Sequence, residues 1–235
     1  MSLTIVSGYW NVKGKHLSKT FELWFKNSLS INCPYIFFGD KESIDIVKKY
    51  RSNLPTIFVE LNITEFETYK YKNNLIHHDI HCPSVEVLLI WNEKIFLLQR
   101  AKNMNPYNTS FFMWVDAGIC LYRENPPPSI PFPDNQKLIL LPTDKFIFTS
   151  SDFPIFEKYK VHDNNYYHYV SGNFMLHSNF IDTFAYIYKK YVDKYLSQSN
   201  WVNSEQKILT HIFNEHPDLF FKIADGYGAI ITSLY

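Results

Sequence analysis

The chain has 235 residues, 46% hydrophobic and 20% charged, with 23 Lys and Arg balanced by 23 Asp and Glu. A length of roughly 150–250 residues suits one hydrophobic core, so residues 1–235 are read as a single domain. Zero formal net charge argues against the overall basic excess of a duplex-nucleic-acid binder, and no nucleic-acid partner is expected.

No apolar run reaches the roughly 18–20 residues a membrane helix needs. The opening MSLTIVSGYWNVKGK has no basic stretch ahead of an apolar one, so neither a secretory leader nor an integral membrane segment is expected. Seven glycines, with no G-x-G-x-x-G or G-x-x-x-x-G-K-[ST], argue against Rossmann dehydrogenases and P-loop NTPases. Cys33, Cys82 and Cys120 are odd in number and form no C-x-x-C, which points to a reducing, cytoplasmic setting rather than a disulfide framework or zinc ribbon. The 20 Phe, 17 Tyr and 5 Trp can fill a large core with few residues.

In chain order, Leu3 to Trp10 is a β-rich run ending near the turn-forming Gly8. His16 to Ser28 spaces Leu17, Phe21, Trp24 and Phe25 as a helix does. Tyr35-Ile36-Phe37-Phe38, closed by Gly39-Asp40, has the continuous apolar character of a strand covered on both faces. Asp40 is placed to cap a helix over Lys41–Tyr50. Thr56 to Leu61 is a third strand. This alternation predicts an α/β fold with a mostly parallel central sheet and helices on both faces.

Tyr69 to Pro83 is polar and His-rich, and Ser84 to Met104 is helical. Phe111 to Val115 is the most apolar run and ends at Asp116-Ala117-Gly118. The prolines at 126, 127, 128, 131 and 133 predict a stiff surface loop. Lys137–Leu141 and Lys145–Thr149 read as strands, and Tyr167 to Val170 leads into Ser171–His177. Helices follow over Phe180–Gln198 and Ser204–Glu215, the second stopped by Pro217. Phe220 to Ala224 is a closing strand, followed by Asp225-Gly226.

Ligands of such sheets sit beyond the carboxyl ends of the strands. That singles out Gly8, Tyr9, Trp10, Gly39 and Asp40, and above all Asp116. An unpaired carboxylate buried at the end of an apolar strand costs several kcal/mol. A metal, a hydroxyl-rich ligand or a simple turn cap would each resolve that cost. His77 to Cys82 holds three imidazoles and a thiol, but the crowding favours a polar loop over a zinc site, with phosphate contact by one His as the further option.

The order of these pieces resembles GT-A type glycosyltransferases, and most closely the bacterial HtrL/YibB-like family, over most of the chain. The resemblance rests on the strand ending at Gly8-Tyr9, on Tyr35 to Asp40, on Trp114-Val115-Asp116-Ala117-Gly118, on Ser171-Gly172-Asn173-Phe174, and on Asn203 to Gln206 opening a helix that ends near Pro217 to Phe220. It implies a Rossmann-related GT-A fold that moves a sugar from a nucleotide-sugar, in the UDP-linked class, to a glycan or glycoprotein acceptor. Asp116 matches the first acid of the family's D-x-D motif, which holds Mn²⁺ or Mg²⁺ on the donor diphosphate; Gly118 stands where the second acid would be. Asp225 is then the candidate second metal ligand, with an ordinary turn aspartate as its other reading.

The resemblance further implies Glu205 as the catalytic carboxylate beside the acceptor, a base for its hydroxyl proton if the configuration inverts, the alternative being a first-turn glutamate that suits the helix dipole. Tyr9 or Trp10 would stack on the base, with Gly8 alongside and Asp40 on the base or ribose. Arg100 and Lys102 would meet the diphosphate unless they only solvate a helix face. Gly172 and Asn173 would line the acceptor pocket. Two other readings stay open: a sugar-nucleotide-forming nucleotidyltransferase, and a non-catalytic nucleotide- or glycan-binding module.

Overall fold

The computed structural model describes residues 2–12, 18–51, 53–77, 83–151 and 168–235. Seven strands form one sheet in the order β3-β2-β1-β4-β6-β5-β7. The first half builds β1 (Leu3–Gly8), α1 (Ser18–Ser28), β2 (Tyr35–Gly39), α2 (Lys41–Lys48) and β3 (Thr56–Glu60). β1, β2 and β3 pair in parallel, as their unbroken apolar character requires of strands covered on both faces. Asp40 caps α2, its Oδ1 accepting from the Ser43 amide at 2.8 Å.

A long helix, α3 (Val85–Met104), then returns the chain to β4 (Phe111–Trp114), which lies beside β1 in parallel. Ser84 caps α3, and Asn105 ends it in the left-handed conformation. The second half adds a four-residue α4 (Asn135–Leu138), β5 (Phe146–Ser150), β6 (Val170–His177), α5 (Ser178–Leu196), α6 (Glu205–Glu215), β7 (Phe220–Asp225) and α7 (Ala229–Leu234). β6 runs antiparallel to both β4 and β5, while β5 and β7 pair in parallel.

The side-chain alternation of the strands splits the core in two. On one face Val6, Phe112, Trp114, Phe148 and Phe174 meet α3, α5 and α6. On the other, Ile5, Phe37, Phe111, Met113 and Val115 meet α1 and α7. The same period of two carries Phe112 and Trp114 on to Asp116, which therefore emerges on the α3–α6 face.

One expected strand is absent. Lys137–Leu141 is not extended: Asp134 accepts from the Gln136 amide and starts the single turn of α4, while Leu140 is left exposed. A helix cap preceding the run outweighs its apolar character. Helix α7 is an element that the sequence pattern does not announce. Gly14, His16, Leu17, His78 to Cys82 and Tyr167 lie outside the described residues. Among the described residues no helix is long and apolar enough to cross a membrane.

Arg51 holds the first half together. It is 2% exposed and lies over the Tyr35 ring at 3.8 Å. Its guanidinium donates to the carbonyls of Leu29, Ile31 and Cys33 and to Thr56 Oγ1, all at 2.8–2.9 Å. Replacing it with Met would take the Arg51 donors from all three buried carbonyls and leave only the Cys33 amide on that of Ile31. Arg51→Met is expected to lower the unfolding free energy by about 3 kcal/mol in urea denaturation.

Candidate functional site

The chain runs outward from β1 to β2 and β3, then crosses back through α3 to β4 on the other side of β1, so the strand order reverses between β1 and β4. A crevice at the carboxyl end of the sheet is expected at that reversal. Ser7 Oγ closes its floor, donating to the Val115 carbonyl at 2.7 Å. Asp116 follows one residue beyond Val115, its side chain on the α3–α6 face.

Asp116 is part of a buried charge cluster. Lys94, from the middle of α3, places Nζ 2.9 Å from Asp116 Oδ1 and 2.7 Å from Glu205 Oε1. Its third donor contact is the Gly172 carbonyl at 3.3 Å. The Lys94 and Glu205 side chains are 3% and 1% exposed, whereas Asp116 keeps 30%. Asp116 Oδ1 also accepts from Trp114 Nε1 at 2.8 Å, and its Oδ2 accepts from the Tyr227 hydroxyl. Its backbone amide donates to Asn173 Oδ1 at 3.1 Å.

Local structure explains each placement. β6 lies antiparallel to β4, so its first residues, Gly172 and Asn173, come to the carboxyl end of β4. Gly172 is a close-approach glycine. A Cβ there would lie 3.1 Å from Lys94 Nζ and 3.2 Å from Glu205 Oε1, so a side chain would press on the ion pair. Glu205 opens α6, whose first turn is buried through Lys207.

The environment drives the two acids apart. Burial alone would raise Asp116, but the Lys94 ammonium and the Tyr227 and Trp114 donors outweigh it and hold the carboxyl below its usual range. For Glu205 burial wins, with Lys94 offsetting it only in part, and its pKa is raised. Burial disfavours the Lys94 charge, yet the two carboxylates raise its pKa on balance. The cluster thus presents one firmly ionised, partly exposed carboxylate backed by a buried ammonium and a second, buried acid.

Four residues singled out in the sequence, Asp116, Gly172, Asn173 and Glu205, come together here. Others do not. Tyr9 and Trp10 are 7% and 3% exposed. Tyr9 packs edge-on against Phe25. Trp10 packs against Phe66 and donates Nε1 to the Leu61 carbonyl. Their rings fill the core instead of offering a face to a base. Gly8 is tight because a Cβ would strike the Trp10 ring, and Asp40 is occupied as a cap.

Arg100 and Lys102 lie about 9 and 12 Å further along α3 than Lys94, toward the opposite edge of the sheet. There Arg100 donates to the Glu65 carbonyl and Lys102 pairs with Asp182. Neither joins Asp116, so the expected diphosphate contacts are not assembled from them. Asp225 accepts from Ser150 Oγ at 2.7 Å and Lys222 Nζ at 2.8 Å. Its strand is three positions from β4, about 14 Å, and the two carboxylates are not brought together.

Sequence reasoning misses Lys94 and Tyr227. Lys94 has a faint signal: Asn92-Glu93-Lys94 interrupts a helix that is apolar on nearly every side, and all three are buried. Tyr227 arrives at Asp116 through the turn after β7, which no spacing announces.

The residues do not fit a divalent cation at Asp116. The ammonium already lies between the two carboxylates. Glu205 Oε2, which has no hydrogen-bond partner among the described residues, is buried, and an ion held there would have to shed its water shell, which Mg²⁺ does reluctantly. Gly118 does not face the cluster, since a Cβ there would meet Trp24 and Phe21 at 3.1–3.3 Å. Among the described residues no group of three or more His, Cys, Asp and Glu side chains is arranged to hold a metal.

A family model described as "Bacterial protein of unknown function (HtrL_YibB)" matches residues 57–229. No curated protein matches the chain. Among solved structures, mouse xyloside xylosyltransferase 1 in its apo form aligns at TM-score 0.55 and 13% identity, covering 94% of this chain and 85% of that one. An active-site mutant of LgtC aligns at TM-score 0.51 and 10% identity, covering 89% and 70%. The 4-diphosphocytidyl-2C-methyl-D-erythritol synthase of Anaerococcus prevotii DSM 20548 aligns at TM-score 0.44 and 11% identity, covering 100% and 91%. The fold is of the GT-A glycosyltransferase type.

Next to Lys94 on α3, Glu93 points away from the cluster and pins the chain at 67–68. It accepts from the Glu67 and Thr68 amides and from Thr68 Oγ1 at 2.9–3.1 Å. Burial lifts its pKa from 4.5 to about 7 against those donors. A carboxyl raised by folding contributes stability that is complete below about 4.5 and lost as pH climbs through about 7. Wild type is therefore expected to lose about 3 kcal/mol relative to Glu93→Gln across that window, read from urea midpoints at each pH.

Proposed function

The chain belongs to the HtrL/YibB family, and we propose that it is a glycosyltransferase acting on a nucleotide-sugar, with a glycan or glycoprotein as acceptor and a UDP-linked sugar as the first donor to test. One observation carries the reading. Asp116, at the carboxyl end of β4 beside the strand-order reversal, is the exposed member of an otherwise buried charge cluster. Asp116 Oδ1 already receives Lys94 and Trp114, but Oδ2, which receives the Tyr227 hydroxyl, keeps acceptor capacity for one hydroxyl of a sugar or ribose. The GT-A fold type supports the reading, as does the position of Asp116 at the carboxyl end of β4, the edge where open α/β sheets bind their ligands.

In the reaction the anomeric C–O bond to the diphosphate breaks, the acceptor oxygen bonds to that carbon, and its proton passes to a base. Asp116 orients the donor in this scheme and is held charged by Lys94. Glu205, at 1% exposure, does not reach an acceptor directly; it positions Lys94. This differs from the acceptor-side role that the family resemblance implies. Asn173 holds the Asp116 backbone, and Gly172 leaves room for the ammonium.

Release of nucleoside diphosphate from a panel of nucleotide-sugars, with and without glycan acceptors, tests the proposal. Wild type is expected to turn over at least one donor, and Asp116→Asn to lose about 100-fold or more in kcat while keeping its fold. Pyrophosphate release from a sugar phosphate and a nucleoside triphosphate would point to the nucleotidyltransferase reading. Donor binding with no turnover would point to a binding module.

A further inference from the structure

We propose that the Lys94 ammonium is the built-in cation of this site, occupying the place a divalent ion would take between Asp116 and Glu205, so that the protein holds its donor without a metal. The inference deepens the glycosyltransferase reading, but its central test uses no donor.

The cluster has the geometry of a two-carboxylate cation site whose cation is covalently supplied. Nζ lies 2.9 and 2.7 Å from one oxygen of each acid, with the Gly172 carbonyl as a third oxygen at 3.3 Å. Those are three oxygens converging on one positive charge. A Mg²⁺ or Mn²⁺ ion in the same place would need ligands near 2.0–2.2 Å and several waters. It would also meet the like charge of the ammonium at contact distance.

The routes by which further acids could join are closed. Position 118 faces an aromatic wall: its Cβ would meet Trp24 and Phe21. Asp225 is tied to Ser150 and Lys222. At position 172 a Cβ would lie 3.1 Å from Lys94 Nζ and 3.2 Å from Glu205 Oε1, so an acid there would crowd the ion pair it was to join. The missing second acid of the motif and the buried lysine therefore have one explanation: the charge the acids require comes from α3. The ammonium keeps Asp116 ionised and fixed, and leaves it a hydrogen-bond acceptor for hydroxyl groups.

Mn²⁺ alone, titrated into wild type, Asp116→Asn, Lys94→Ala and the double variant, decides the matter, with bound ion read by electron paramagnetic resonance and melting temperature. Wild type and Asp116→Asn should respond alike, with no ion assigned to Asp116. Lys94→Ala should gain one Mn²⁺ site and melt about 5–10 °C higher at one hundred times the dissociation constant. The double variant should lose that gain. A stoichiometric Mn²⁺ in wild type that Asp116→Asn lacks overturns the proposal, as does a folded Lys94→Ala that binds none. If Lys94→Ala does not fold, the wild-type and Asp116→Asn comparison still decides. Donor-induced stabilisation should survive excess chelator, and its loss there also overturns the proposal. Absence of any donor effect, with or without chelator, counts against the glycosyltransferase reading and leaves the Mn²⁺ result standing.

Discussion

The ion triad of Lys94, Asp116 and Glu205 sets the terms for the rest of this end of the molecule. Taking an ammonium and two carboxylates out of water costs several kcal/mol per ion, and only close pairing with further hydrogen bonds offsets it. The protein supplies that pairing from four separate elements: α3, the end of β4, the start of β6 and the first turn of α6. Two negative charges face one positive charge, so the cluster relieves the excess by raising Glu205 and keeping Asp116 charged. Replacing such a triad by packed apolar residues is often neutral or stabilising. Perturbed, buried ionisable groups at a cleft are a common mark of a functional site.

The sheet makes the triad possible. The alternation along β4 sends Phe112, Trp114 and Asp116 to the α3 face, and α3 is packed so closely there that Lys94 Nζ lies 5.7 Å from the Trp114 ring centre. The antiparallel β6 is equally necessary. A parallel strand beside β4 would bring its last residues, not its first, to this edge. Because β6 reverses, Gly172 and Asn173 arrive beside Asp116, and the helices after it deliver Glu205 to the same point.

Much of this was legible in the sequence, for physical reasons that differ residue by residue. The parallel strands announced themselves because burial on both faces demands apolar residues throughout, as in Tyr35 to Phe38. Asp116 stood out because a carboxylate ending such a run must be paired. Lys94 did not, because a lysine in a helix is ordinarily solvated, and only the fold shows that this helix is covered on the side where it sits. Tyr9 and Trp10 misled because an aromatic beside a strand end serves a ligand or the core equally well in one dimension; here the Leu61 carbonyl and Phe66 claim Trp10. Lys137 to Leu141 misled because its apolar residues alternate poorly and a cap at Asp134 decides the local geometry. The antiparallel direction of β6 depends on chain reversal, which side-chain pattern does not encode.

Gly118 shows how motif and packing meet. Read along the chain, it looks like the loss of an acid. In space, its α-carbon faces Phe21 and Trp24, and Arg123 stacks on the Trp24 ring, 3.6 Å from its centre, while donating to the Gly118 carbonyl. An acid placed there would enter an aromatic and cationic setting away from Asp116, with no access to the triad. The departure from the motif is thus built into the packing of α1, and the sheet edge has been constructed around a lysine instead.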